Sequence, residues 1–142
     1  MSKFSRFMKQ NKVTKKNEMH AVTKFLTDEQ GNPLQWEFKH ITSQEHDAIR
    51  DRCMIDVPIT GKPNAFRPKL NTSKYINEMI IASVVDPDLY NAELQNSYSV
   101  KEPSELLYAM VDDPGEYQNL GAWVQQFQGF KSLDDKVEEA KN

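Results

Sequence analysis

The sequence predicts an α+β fold: an N-terminal β-hairpin packed against a mostly helical body of about five helices. Three observations predict it. Leu34 to Ile41 alternates with period two, the signature of a half-buried strand. Thr72 to Val85 carries a wide apolar stripe at helical spacing. Helix-start signals recur at Thr42, at Glu102-Pro103 and at Asp113-Pro114. With 142 residues the chain matches one domain, 1–142, organised as a basic arm (1–18), the hairpin (20–41) and a mainly helical remainder (42–142).

The elements follow in order. In the arm, Phe4, Phe7 and Met8 stand at i, i+3, i+4, one face of a short helix free to dock on the body or on a partner. The hairpin strands are read as Ala21–Leu26 and Leu34–Ile41, with Trp36 and Phe38 on a face that needs cover from a helix. Between them Asp28, Gly31, Asn32 and Pro33 supply the turn, with Gly31 free to take positive φ. Thr42-Ser43-Gln44-Glu45 fits a capping box opening a helix to about Cys53, with Ala48, Ile49, Arg52 and Cys53 on one side. From Asp56 to Leu70, Pro58, Gly61, Pro63 and Pro68 exclude a helix. A short edge strand or a second hairpin turning at Gly61-Lys62-Pro63-Asn64 fits there, and the segment is also where a mobile loop is expected.

Asn71 or Thr72 caps the next helix, which Asp86-Pro87 ends. A short helical turn covers Asn91–Tyr98. Pro103 opens a helix with Leu106, Leu107, Met110 and Val111 in the core. Asp113 caps another, Glu116 closes a box-like arrangement, Tyr117, Leu120, Val124 and Phe127 line its buried side, and Gly129 stops it. Ser132 caps a terminal helix with Leu133, Val137 and Ala140 on its inner side.

Composition narrows the function. Aromatics at 10% and a net charge of -3 place the chain among folded domains. No run approaches the roughly 18 apolar residues of a membrane span. A single cysteine excludes an intramolecular disulfide framework. A soluble intracellular domain is therefore expected. The small net charge hides an asymmetry: six of the 18 cations lie between Lys3 and Lys16, with no acid before Glu18, leaving twelve cations against all 21 acids, or -9, in the rest. The arm is too short and polar for a secretory signal, and too sparsely basic for the repeated phosphate contacts of nucleic-acid binding.

A search for chemistry returns little. His20, His40 and His46 show no ligand spacing, and His46 with Cys53, two turns apart, makes neither a metal site nor a nucleophile–base pair. Gly61-Lys62 lacks the rest of a phosphate loop. Asp112-Asp113 and Asp134-Asp135 read as helix-start acids, and Asn71-Thr72-Ser73 as a cap rather than a glycosylation sequon. Two aromatics fall off the core stripes. Trp123 is offset from the Tyr117–Phe127 line and Phe130 follows the helix stop, so each is a candidate exposed anchor beside a core-boundary role. The candidate partner-binding residues are thus Phe4, Phe7, Met8, Trp123 and Phe130. No catalytic, cofactor or metal residue emerges.

The chain as a whole, from about Phe4 to Asn142, resembles the XkdN-like tail assembly chaperones of phages and prophages of Gram-positive bacteria. The resemblance rests on motifs in a fixed order: Gln35-Trp36-Glu37-Phe38-Lys39, then Ile41-Thr42-x-x-Glu45 and Cys53, then Leu70 to Tyr75. The most specific part runs from Tyr75 through Ile81-Ala82-Ser83-Val84-Val85-Asp86-Pro87-Asp88-Leu89 to Val100. Glu105-Leu106-Leu107, Pro114-Gly115-Glu116-Tyr117 and Gly129-Phe130 follow. Nothing carries over to Ile55–Pro68. The resemblance implies a non-enzymatic factor without cofactors. It would act in the cytoplasm of the bacterial host, coating the tape measure protein and leaving as tail tube subunits polymerise. It implies the tape measure protein and the tail tube protein as partners, and no nucleic acid or membrane; self-association stays open. A structural tail component or tail completion protein, and a DNA-binding regulator, stand as the alternative classes.

Overall fold

The computed structural model describes residues 3–130. The terminal helix expected from Ser132 lies outside the described residues. Ten regular elements follow the arm: β1 (Glu18–Ala21), β2 (Gln35–Phe38), α1 (Ser43–Arg52), β3 (Met54–Pro58), β4 (Phe66–Leu70), α2 (Thr72–Ser83), β5 (Val84–Asp86), α3 (Ala92–Ser97), α4 (Pro103–Met110) and α5 (Pro114–Phe127). The α+β class with an N-terminal hairpin and five helices among the described residues is as the sequence predicts.

The first hairpin pairs His20 with Trp36 and Glu18 with Phe38 in antiparallel register. Its first strand lies three residues earlier than expected, because the chain leaves the ladder after Ala21. Buried Thr23 donates its hydroxyl to Glu116 Oε1 at 2.7 Å, and the Lys24 N–H donates to Glu116 Oε2 at 2.8 Å. Glu116 therefore spans from α5 to the hairpin instead of closing the predicted box, while Asp113 still caps α5 by accepting from the Glu116 N–H. The turn is as predicted, with Gly31 at φ +84° and the Asp28 carboxylate accepting from the N–H groups of Gln30 and Asn32. Leu34, in line with Trp36 and Phe38 in the alternation, is exposed.

The helix predicted through Val85 ends at Ser83. Val84–Asp86 forms instead a third strand on β2, giving the order β1-β2-β5, with Phe38 opposite Val84. Two β-branched valines before a pre-proline aspartate favour extended backbone, and the second edge of β2 is there to be paired. Trp36 and Phe38 are sealed beneath this sheet by α2, α4 and α5 residues, among them Met79, Ile80, Leu107 and Val124. The Thr42–Glu45 capping box forms as read. The buried side of α1 is narrower than read: Ile49 and Cys53 are buried, Ala48 and Arg52 exposed.

Of the readings open for residues 54–70, the second hairpin is the one that forms, five residue pairs long. Its turn has Gly61 at φ +80° and Asn64 at φ +62°. Alternation of Ile55, Val57 and Ile59 drives the strand. Pro68 is tolerated because it pairs opposite Asp56 on a two-stranded sheet, where its nitrogen faces the free edge.

Candidate functional site

The arm is not the α-helical turn expected. It forms two 3-10 turns, Ser5–Phe7 and Lys9–Asn11, separated by an extended Met8, and neither turn has a buried residue. Phe4 is 59% exposed, Phe7 74% and Met8 43%. Lys3 and Arg6 lie over the rings of Phe4 and Phe7 at 5.3 and 4.9 Å. At its far end the arm is anchored by Asn17, whose amide donates to the Glu37 carboxylate at 2.8 Å.

Between arm and body runs a groove of about 920 Å³. Lys9, Lys12, Val13 and Lys15 form its arm side; the start of α1, His40, His46 and Phe130 form its body side. Phe130 is held there by the end of α5. Gly129 takes φ +94°, its N–H reaches Gln126 O and the Phe130 N–H reaches Gln125 O, a Schellman closure. The ring of Phe130 tilts against His46 at 5.0 Å and stays 42% exposed. Gln128 locks the same corner: its side chain accepts from the Ile41 N–H and donates to Lys39 O and Ser83 Oγ.

Trp123 stands elsewhere. It is half-buried, stacked on His20 at 4.0 Å and on Phe127 at 5.0 Å, and edge-on to Phe38. Phe127 stacks in turn on His40. Both histidines are thus ring partners at the sheet–α5 seam. Burial pushes the pKa of His20 down, with Glu18 opposing. Of the candidate anchors, the structure brings Phe130 to the arm-side groove and leaves Trp123 in the seam.

His46 and Cys53 do not meet as a pair. The His46 ring hydrogen-bonds the Tyr75 hydroxyl. The Cys53 thiol donates to Glu78 Oε2 at 2.9 Å, and burial, followed by that bond, pushes its pKa up to about 11, so it stays protonated near neutrality. Burial and then the Tyr108 contact push Tyr117 up to about 12, while the Asn77 amide donates to its hydroxyl. No group of three or more metal-ligating side chains occurs among the described residues, and none of their helices is long and apolar enough to cross a membrane.

Helical periodicity passes over one pattern. Lys3, Arg6, Lys9, Lys12 and Lys15 recur every third residue, and Phe4, Phe7, Gln10 and Val13 follow one position behind. Backbones with three residues per turn keep such rows on separate sides. The arm uses that kind of backbone, with 3-10 turns followed by Lys12 at φ -85°, ψ 127°.

The model of the phage XkdN-like tail assembly chaperone proteins matches residues 4–141. The uncharacterized protein YqbN of Bacillus subtilis (strain 168) is 25% identical over 122 residues, covering 85% of this chain and 80% of that protein. A crystal structure of the protein YqbN shares the fold, with a TM-score of 0.73 at 21% identity over 92% of this chain and 99% of that one. Since the family model spans nearly the whole chain, the protein belongs to the phage XkdN-like tail assembly chaperone family.

Proposed function

We propose that this protein is a non-enzymatic chaperone that binds the tape measure protein of its phage or prophage in the host cytoplasm. It keeps that client soluble until tail tube subunits polymerise around it. The observation that carries the reading is the arm: in a member of a tail assembly chaperone family, Phe4, Phe7 and Met8 are held out to solvent beside a groove floored in part by Phe130. A long helical client exposes apolar stripes before assembly, and helix-in-groove contacts of modest area cover such stripes reversibly. Trp123, already stacked on two rings, supports that end of α5 and offers the client only its remaining edge. Co-expression with the neighbouring tape measure protein tests this. The soluble client fraction rises with the chaperone and falls back with Phe4→Ala/Phe7→Ala. Unchanged client solubility would falsify the reading, and recovery of the chain in purified particles would make it a structural tail component.

Self-association is a second reading, carried by β3–β4. A lone two-stranded hairpin is marginal in water, yet this one leaves Met54, Ile55 and Phe66 exposed. A second copy that covers it would dissociate on Ile55→Lys, seen as a drop in mass by light scattering.

A further inference from the structure

The groove beside the arm has a chemistry more specific than apolar cover. Lys9, Lys12 and Lys15 all line it, and none makes an ion pair or side-chain hydrogen bond among the described residues. Among the described residues the acid in its lining is Asp47. Val13, 86% exposed, and Phe130 add apolar surface next to the ammonium groups. Along this groove the arm thus sets three ammonium groups beside the apolar surface of Val13 and Phe130.

We propose that this groove binds an acidic amphipathic helix of the partner, its carboxylates on Lys9, Lys12 and Lys15 and its apolar side chains on Val13 and Phe130. This rests on the chaperone reading and names the part of the client that is held. The spacing fits a helix. From Lys9 to Lys12 the 3-10 backbone advances about 6 Å, and beyond the bend at Lys12 three residues of extended backbone advance about 9 Å. Carboxylates at i, i+4 and i+11 of an α-helix lie about 6 Å and then about 10 Å apart on one face. The groove, about 920 Å³, has room for part of a helix about 10 Å wide. Nucleic acid fits less well. The N-terminus of α1, the natural phosphate seat in the groove, is already closed by its own capping box, in which the Glu45 carboxylate accepts from the Thr42 N–H. The lining cations are lysines, without the arginine forks that grip phosphates bidentately.

A labelled helical peptide of about five turns, with glutamates at i, i+4 and i+11 flanked by leucines, is the probe; its anisotropy is titrated with the full chain. Binding is expected, weakened by salt. It falls about tenfold when the glutamates become glutamines, and about tenfold in Lys9→Gln/Lys12→Gln/Lys15→Gln with melting unchanged, as three exposed ion pairs predict. The two losses do not add, because each removes the same pairs. A glutamine peptide that binds equally well overturns the proposal. So does a single-stranded oligonucleotide that binds more tightly through the same lysines, which makes the groove a nucleic-acid site. So does a tenfold gain in peptide affinity on Asp134→Asn/Asp135→Asn/Glu138→Gln/Glu139→Gln, which makes the chain's own acidic end the occupant. Each of these leaves client solubilisation through Phe4 and Phe7 standing, whereas failure of the chaperone reading appears only in the co-expression experiment.

Discussion

Both hairpins turn on a glycine with positive φ, Gly31 at +84° and Gly61 at +80°, and pair four and five residues per strand. β1–β2 gains a third strand from β5 and a floor of helices, and its Trp36 and Phe38 are sealed. Among the described residues β3–β4 gains neither, and its Phe66 is 60% exposed. Strand formation is thus a local property of alternation and turn residues, present in both. Support is tertiary, and among the described residues only the first hairpin receives it. In a member of a tail assembly chaperone family, apolar strand surface left uncovered by the body is surface available to another molecule.

The largest test of this contrast is truncation of one aromatic in each hairpin. Phe38→Ala removes a ring with no exposed area from among Trp123, Val84 and the helices, and is expected to cost about 3–5 kcal/mol in urea unfolding. Phe66→Ala is expected to stay within about 0.5 kcal/mol. A cost at Phe66 approaching that at Phe38 would mean that β3–β4 is packed after all, and the contrast fails. If Phe38→Ala does not fold, Phe38→Leu supplies the comparison at smaller amplitude.

The next test concerns the bonds that hold a hairpin to the body. Glu116→Ala leaves the buried Thr23 hydroxyl and the Lys24 N–H without their acceptor, for an expected loss of about 1–3 kcal/mol. Asp56→Ala, on the exposed second hairpin, is expected to change stability by less than about 0.5 kcal/mol. Equal effects would show that the carboxylate bridge contributes nothing beyond a surface acid, and that the first hairpin is held by its apolar face alone.

Much of this arrangement was legible in the residues. The caps at Thr42, Asn71 and Asp113, the stop at Gly129 and the core of α4 all follow from side-chain chemistry acting within four or five positions. What stayed hidden depends on partners far along the chain. Glu116 meets Thr23 across 93 positions, Gln128 meets Lys39 across 89, and Val84 leaves the helix to pair with Phe38. Phe130 was legible as an off-stripe aromatic, but its groove was not, because the opposite wall is the arm. The cation row of that wall is hidden from helical periodicity for a different reason. Its period is three, and a search at 3.6 smears it around the helix.

The smallest effect is a pH dependence confined to one hairpin. His20 lies in β1 on the Trp123 ring, and burial lowers its pKa below the unfolded value of about 6.5, the pull of Glu18 only partly opposing. The unfolded chain therefore takes up this proton before the folded one does. The sign is fixed: the contribution to stability is whole above the unfolded pKa, and it is lost as pH falls from there toward the folded pKa. Carboxylate titration acts over part of the same range, so wild-type protein alone would not isolate it. His20→Phe keeps a ring for Trp123 and removes the proton. The stability of this variant relative to wild type is expected to rise as pH is lowered from 7 to 5. No histidine occurs in Met54–Leu70, so Phe66→Ala relative to wild type is expected to stay level over that interval. A level His20→Phe difference would mean that the seam opens enough for the imidazolium to be hydrated. The buried character of β1–β2, on which the contrast between the hairpins depends, would then stop short of its outer strand.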